Sequence, residues 1–87
     1  MGFRLSRHAE WEMERRGVQR EMLEAVLNRP EQRVPDESHL GRWIHQSRIS
    51  FDDGKLHLLR AVVTAESPKT VITVYRTSKI EKYWRAE

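Results

Sequence analysis

The chain has no cysteine among its 87 residues. This absence excludes disulfide bonds, thiol nucleophiles and thiolate metal sites, and it is consistent with the reducing cytoplasm. The sequence also lacks any apolar run that approaches the roughly 18 residues of a membrane-spanning helix, and its first residues lead into no signal-peptide core. We therefore expect a cytoplasmic protein that does not cross a membrane.

Glycine and proline are scarce, with four and three copies. The chain has no glycine-rich phosphate loop, no nucleophile-elbow motif and no low-complexity linker. Its four histidines do not have the spacing of metal ligands. We therefore predict one domain over residues 1–87 that uses neither a metal nor a cofactor.

Positive charge is concentrated at the C-terminal end. Residues 68–87 contain five lysines and arginines against two glutamates, which accounts for the whole net charge of +3. Tyr75, Tyr83 and Trp84 are interleaved with these cations, and a basic segment with aromatic side chains suits a polyanion such as RNA. Alternatively, the segment is a solvated C-terminal element. The cations are Lys69, Arg76, Lys79, Lys82 and Arg85.

Helical periodicity covers the N-terminal third of the chain. Ser6 is a favourable N-cap and Gly17 a favourable C-terminal stop, which together predict a helix over residues 7–16. Apolar residues at helical spacing predict a second helix over residues 18–27, and Pro30 follows it.

Alternating and β-branched apolar residues predict antiparallel strands in the rest of the chain. Asp53-Gly54 lies between two of them and is a strong hairpin signal. The predicted fold is α+β, with two N-terminal helices packed on one face of a small antiparallel sheet of three to four strands. The strands are residues 31–34 at an edge, 43–51, 56–64 and 71–76, and residues 78–85 form a short helix or an extended arm.

A two-residue turn at Asp53-Gly54 would determine which side chains share a face of the sheet. The predicted pairs are Phe51–Leu56, Ser47–Arg60, His45–Val62, Thr64–Val71, Arg60–Tyr75 and Val62–Thr73. One face is then apolar and suits packing beneath the helices. The other face is polar and carries Trp43, His45, Ser47, Arg60, Thr73 and Tyr75.

The predicted polar face has the chemistry to hold a phosphodiester. Arg60 could bind the non-bridging oxygens and stabilise the charge that grows in the transition state. His45 could act as a general base on a ribose 2′-hydroxyl or as an acid toward the leaving oxygen, and Tyr75 could stack on a base or donate a proton. Alternatively, the face is polar because water covers it.

Five segments of the chain resemble a widespread family of small, mostly uncharacterised bacterial domains. These segments are SRHA at residues 6–9, ERRGV at 14–18, NRP at 28–30, VITVYRTSK at 71–79 and KYW at 82–84. That family is itself similar to the RelE, ParE and BrnT toxins. The resemblance implies the compact α+β fold of those toxins, whose members include messenger-RNA endonucleases, gyrase poisons and proteins with no assigned role.

The same resemblance suggests a function and a set of site residues. RelE-like enzymes rely on lysines, arginines and a C-terminal tyrosine, for which Lys79, Arg60 and Tyr75 are the nearest candidates here. We therefore expect a toxin-like endoribonuclease that cleaves RNA without metal by 2′-hydroxyl attack and is neutralised by an antitoxin. The candidate catalytic residues are His45, Arg60, Thr73, Tyr75 and Lys79, and the candidate RNA contacts are Trp43, Ser47, Arg76, Lys82, Trp84 and Arg85.

Two other functions remain open from the sequence. One is a non-catalytic module that binds a protein or nucleic acid through the same face. The other is inhibition of a topoisomerase through the C-terminal tail. His8 matches the helix motif of the family, and a structural role is the simpler expectation for it.

Overall fold

A five-stranded mixed sheet forms the centre of the computed structural model, which describes residues 2–66 and 68–85. The strands lie in the order β1-β5-β4-β3-β2, and all neighbours are antiparallel except β1 and β5, which are parallel. The strands are β1 (Phe3–Leu5), β2 (Gln32–Pro35), β3 (Arg42–Ser50), β4 (Leu56–Thr64) and β5 (Lys69–Thr77). The helices are α1 (Arg7–Arg16), α2 (Arg20–Asn28) and α3 (Ile80–Tyr83).

Capping residues at both ends determine where α1 begins and ends, and its predicted bounds are confirmed. The Ser6 hydroxyl accepts a hydrogen bond from the Ala9 N–H at 2.9 Å and so caps the first turn. At the other end Gly17 has a φ of 68°, and the N–H groups of Gly17 and Val18 donate to the carbonyls of Glu14 and Met13. This pattern is a Schellman motif, so Val18 belongs to the end of α1 and α2 begins later than predicted.

Both long helices pack on the same face of the sheet, which we call the inner face. Ala9 and Met13 of α1 and Leu23 and Val26 of α2 belong to one buried cluster. The sheet contributes Leu59, Ala61, Val63, Val71 and Val74 to that cluster. The prediction that two helices cover an apolar face of the sheet is therefore confirmed for Leu59, Ala61, Val63 and Val74. Ile44 was also expected on this face, but it pairs with Val62 and lies on the opposite side, which we call the outer face.

The hairpin between β3 and β4 differs from the predicted one. Its loop has three residues, 52–54, because the Phe51 N–H donates to the Lys55 carbonyl at 3.1 Å and the Gly54 N–H donates to the Phe51 carbonyl at 2.9 Å. Gly54 has a φ of 75°, as a three-residue hairpin loop with a left-handed residue requires. The predicted two-residue turn is wrong.

One extra loop residue shifts the whole pairing of β3 with β4. Arg60 pairs with Gln46 instead of Ser47, and His45 pairs with Ala61 instead of Val62. Because side chains alternate between faces, Trp43, His45 and Ser47 lie on the inner face and not on the outer one.

The pairing of β4 with β5 follows the prediction over most of its length. Arg60 pairs with Tyr75 and Val62 with Thr73, as predicted. An irregularity between Val62 and Val63 then shifts the register, so that Val71 pairs with Val63 and not with Thr64.

The sheet is also larger than predicted. The strand β1 was not anticipated, and its parallel pairing with β5 makes the sheet mixed instead of antiparallel. The C-terminal residues form the short helix α3 followed by extended backbone at Trp84. In the part of the chain that is described, no helix has the length and apolar character needed to span a membrane.

Candidate nucleic-acid interface on the outer face

Arg60 is the centre of the outer face. Only 7% of its surface is exposed. Its Nε donates a hydrogen bond to Oε1 of Gln46 at 2.8 Å, and its Nη1 donates to the Tyr75 hydroxyl. Within residues 2–66 and 68–85, no carboxylate forms an ion pair with it. The guanidinium is thus stabilised by neutral hydrogen-bond acceptors and aromatic rings. Its positive charge is not neutralised by them and can attract an anion.

Two tyrosine rings enclose this guanidinium. The Cζ of Arg60 lies 4.3 Å from the centre of the Tyr83 ring and 5.5 Å from the centre of the Tyr75 ring. The two rings meet edge to face, with centroids 6.3 Å apart. Cation–π attraction therefore stabilises a cation that forms no ion pair with an acidic side chain in the described part of the chain.

The Tyr75 hydroxyl stays protonated at neutral pH. Burial is the largest cause that raises its pKa, and Tyr83 and Asp36 act in the same direction. The positive charge of Arg60 opposes the shift without reversing it. The phenol oxygen accepts from Arg60, so its own proton can be donated to another oxygen atom.

A segment that we call the C-terminal strap, residues 79–85, covers part of the outer face. The amide of Gln46 donates to the Tyr83 carbonyl at 3.2 Å and to Oε1 of Gln32 at 2.7 Å. Gln32 in turn donates to the Arg85 carbonyl at 2.6 Å and accepts from the Arg85 N–H at 3.0 Å. Two glutamines of β2 and β3 therefore hold the strap where its Tyr83 ring covers Arg60.

The strap brings several of the predicted contact residues to this face. Lys79 and Lys82 are exposed, and the Lys82 ammonium lies 5.3 Å from the centre of the Tyr83 ring. Arg85 forms an ion pair with Glu37 at 3.3 Å. Lys79 lies two residues after the end of β5, so its charge is at the start of the strap.

Trp84 is already engaged by protein. The Cζ of Arg48 lies 4.3 Å from the centre of its ring, and Arg48 also forms an ion pair with Glu31 at 2.9 Å. Its predicted role in stacking on a base requires this arginine to move aside. Thr73 lies on the outer face two residues before Tyr75 and is half-buried.

Four predicted site residues lie on the inner side, away from Arg60. The Ser47 hydroxyl accepts a hydrogen bond from the Glu31 N–H at 3.0 Å. Trp43 packs against Arg33, whose Cζ lies 3.9 Å from the centre of its ring. Arg76 pairs with Leu59, a residue of the inner core. The prediction that Trp43, His45 and Ser47 share the face of Arg60 is wrong, because the hairpin register differs by one residue.

His45 is buried beneath α2. Only 2% of its surface is exposed, and neither ring nitrogen has a hydrogen-bond partner in the described part of the chain. Burial is the main cause that lowers its pKa, and the charges of Lys69 and Arg33 lower it further, whereas the backbone at the end of α2 acts in the opposite sense. The ring is therefore neutral at pH 7, and its position removes it as a general base at Arg60 and Tyr75.

Sequence reasoning missed the residues that organise the site. Gln46 joins Arg60 to the strap, and Gln32 fixes the strap from the edge strand. Asp52, Asp53 and Gly54 are compatible with a three-residue loop that has glycine in its last position. Such a loop gives the observed register, so it would have predicted that Gln46 pairs with Arg60. No group of three or more metal-ligating side chains gathers anywhere in residues 2–66 and 68–85.

One protein family matches most of the chain. It is described as a domain of unknown function (DUF4258), and it matches residues 5–76. The chain belongs to this family. No curated protein matches the chain, and no solved structure matches it.

The residues matched by the DUF4258 family include only part of the candidate site. Arg60, Tyr75, Gln46 and Gln32 lie within residues 5–76. The C-terminal strap, which covers Arg60, lies beyond the matched residues.

Proposed function

We propose that this protein is a small toxin-like endoribonuclease that binds RNA on its outer face and cleaves it without a metal ion. The observation that carries the proposal is the pair formed by Arg60 and Tyr75. A guanidinium that forms no ion pair with any carboxylate in residues 2–66 and 68–85 lies beside a phenol that keeps its proton, and a phosphodiester complements both groups. The resemblance of the sequence to a family of small bacterial domains, which is itself similar to the RelE, ParE and BrnT toxins, supports the same proposal.

The reaction needs no group beyond RNA, water and these side chains. The ribose 2′-oxygen attacks the adjacent phosphorus, and the bond from phosphorus to the 5′-oxygen breaks. The 2′-hydroxyl proton passes to solvent, and Tyr75 gives its proton to the leaving 5′-oxygen and regains one from water. The products are a 2′,3′-cyclic phosphate and a 5′-hydroxyl. Arg60 stabilises the negative charge that develops on the non-bridging oxygens.

The other candidate residues have supporting roles in this proposal. Lys79 adds positive charge where β5 ends, and Thr73 offers a hydroxyl on the same face. Lys82, Trp84 and Arg85 of the strap contact the RNA. Because Tyr83 covers Arg60, the strap moves aside when a phosphate binds. The proposed antitoxin neutralises the protein by covering this outer face.

A non-catalytic RNA-binding module is the second candidate function. It is favoured by the position of His45, which leaves the outer face without the predicted general base. Two of the Arg60 nitrogens are also already engaged by Gln46 and Tyr75. Such a module would bind RNA through the same residues and leave it intact.

The experiment is tightly controlled induction of the parent and of the variants Tyr75→Phe and Arg60→Lys in bacteria. Tyr75→Phe keeps the ring and removes only the hydroxyl, and Arg60→Lys keeps the charge and removes the bidentate fork. Arg29→Gln is the control, since Arg29 is exposed at the end of α2. Growth, soluble protein and total RNA are followed for each culture.

We expect the parent and Arg29→Gln to arrest growth with new RNA fragments and both site variants to lose these effects at equal soluble protein. Variants as toxic as the parent would show that the site is wrongly assigned. Growth arrest with intact RNA would point to another target, and harmless expression of folded parent would favour the binding module.

A further inference from the structure

A second basic surface lies at the end of the sheet, away from Arg60. It is a cleft of about 480 Å³, formed where α1 and β5 end and β4 begins. We call it the basic cleft. Its lining residues are Arg15, Arg16, His57, Arg76, Thr77 and Ser78.

Positive charge exceeds negative charge in the basic cleft. Arg15 and Arg16 share the single carboxylate of Glu12, at 2.8 and 3.1 Å, so the two cations are matched by one anion. Arg76 packs its guanidinium over Phe51, with Cζ 4.3 Å from the ring centre. Within the described residues, no carboxylate forms an ion pair with Arg76.

One further carboxylate lies near the cleft and does not cancel its charge. Asp53 lies 3.8 Å from Nε2 of His57. The pKa of Asp53 is lowered mainly by a hydrogen bond from the Lys55 backbone and also by the charges of His57 and Arg76. Among the described residues, three guanidinium groups thus face two carboxylates, and the hydroxyls of Thr77 and Ser78 complete the cleft.

An exposed aromatic ring adjoins the cleft. Trp11 is 57% exposed, which is unusual for so large an apolar side chain. It lies one helical turn before Arg15, whose Cζ is 5.1 Å from the centre of its ring. His8 lies on the other side, with ring centroids 6.1 Å apart. Arg15 therefore belongs both to the cleft and to an aromatic surface on α1.

The cleft also continues toward the outer face. Ser78 lines the basic cleft and also a neighbouring groove formed with residues 79–82. That groove includes Lys79 and Lys82 at the start of the strap. A chain of phosphates could thus follow cationic side chains around the end of β5.

We infer that the basic cleft is a second contact for single-stranded RNA, in which Arg15, Arg16 and Arg76 hold a backbone phosphate and Trp11 stacks on a base. Guanidinium groups and hydroxyls complement a phosphate, and an exposed indole complements an unstacked base. Bases in a duplex are already stacked on each other, so this surface favours a single strand. The inference depends on the proposed function only for RNA as the ligand.

The test is the binding of a fluorescent single-stranded RNA of about twelve nucleotides. Its 2′-hydroxyls are methylated so that it cannot be cleaved by 2′-oxygen attack. Affinity is measured at several salt concentrations for the parent and for Arg76→Gln, Arg15→Gln and Trp11→Ala. The matched control is Arg29→Gln, which changes the net charge equally but lies outside the cleft. Circular dichroism verifies that each variant is folded.

We expect Arg76→Gln and Arg15→Gln each to weaken binding by about threefold to tenfold and to reduce the slope of log affinity against log salt by about 0.7. Trp11→Ala weakens binding by about fivefold or more, with an unchanged salt slope. Arg29→Gln stays within about twofold of the parent. Arg15 is about half exposed, so Arg15→Gln remains informative if Arg76→Gln fails to fold.

Parent-like affinity in both folded arginine variants would overturn the inference, whatever Tyr75→Phe does to RNA cleavage. Equal affinity for duplex RNA would overturn the preference for a single strand. If inorganic phosphate at millimolar concentration abolishes the difference between Arg76→Gln and the parent, the cleft is a site for free phosphate and the inference is wrong. Weakened binding in these variants with no cleavage by the parent would keep the inference and reject the nuclease.

Discussion

Arg60 and His45 are two buried basic side chains of the same sheet that lie in different environments. Arg60 keeps its charge on the outer face because Gln46, Tyr75 and the ring of Tyr83 surround it. His45 lies on the inner face, where its ring nitrogens have no hydrogen-bond partner within the described residues and only the backbone at the end of α2 favours the charged form. Burial without a partner favours the neutral form of an imidazole. The two residues therefore differ in chemistry because their side chains point to opposite faces.

The buried imidazole predicts that acid weakens the fold. The pKa of His45 is lowered in the folded state, so the unfolded chain binds a proton at a higher pH than the folded chain does. The free energy of unfolding should therefore fall as the pH drops below about 6.5, the ordinary pKa of histidine. Urea unfolding at pH values from about 7.5 to about 5 measures this slope.

The variant His45→Met should flatten the slope, since it fills the site with an apolar side chain that does not titrate. His39→Gln is the control, because His39 is exposed, and it should keep the parent's slope. Glu12, Glu31 and Asp53 have lowered pKa values, so their contribution to stability is present above the ordinary carboxyl pKa and is lost as the pH falls toward their lowered values, below most of this window. An unchanged slope in His45→Met would contradict the assignment.

Secondary-structure elements whose ends are determined by nearby residues were predictable from the sequence. An element that forms only through contacts with a distant strand was not. The helix α1 begins at a serine cap and ends at a glycine, and both signals lie within its own sequence. In contrast, β1 has three residues, and its partner strand begins at Lys69. So short a segment has no usable periodicity of its own, and only the parallel pairing with β5 makes it a strand.

The length of the loop between β3 and β4 determines which side chains lie on each face of the sheet. Asp53-Gly54 correctly predicted a hairpin, but the same dipeptide is compatible with a two-residue and a three-residue loop. The observed loop places Gly54 in the left-handed region and Gln46 opposite Arg60. The sequence alone did not distinguish two registers of β3 and β4 that differ by one residue. This difference determines on which face of the sheet His45 lies.

This loop predicts a specific response to alanine. Gly54→Ala should lower the free energy of unfolding by about 1–2 kcal/mol, because a Cβ disfavours a left-handed backbone even where space is available. Gly54→Asn should cost less, since asparagine tolerates that region better. Gly2→Ala is the control, as Gly2 is exposed and outside the positive-φ region. A Gly54→Ala protein as stable as Gly2→Ala would contradict the loop geometry.

For the whole molecule, the helices cover one face of the sheet and leave the other to the C-terminal strap. The pairing of Arg60 with Tyr75 was predicted from the sequence, because the register of β4 and β5 was correct in that part of the two strands. The strap's position was not predictable, because it depends on side-chain hydrogen bonds from Gln32 and Gln46 to distant backbone. The basic surface therefore extends beyond the outer face, from the strap to the end of α1.

Metal-independent RNA cleavage is measured with the purified protein and a single-stranded RNA in the presence of a metal chelator. The same sequence with 2′-deoxyribose throughout is the matched substrate, and the ends of any products are analysed. We predict fragments of the RNA with 2′,3′-cyclic phosphate and 5′-hydroxyl ends, none from the deoxy substrate, and none with Tyr75→Phe. RNA that stays intact at protein concentrations that saturate its binding would contradict the claim and leave a binding protein.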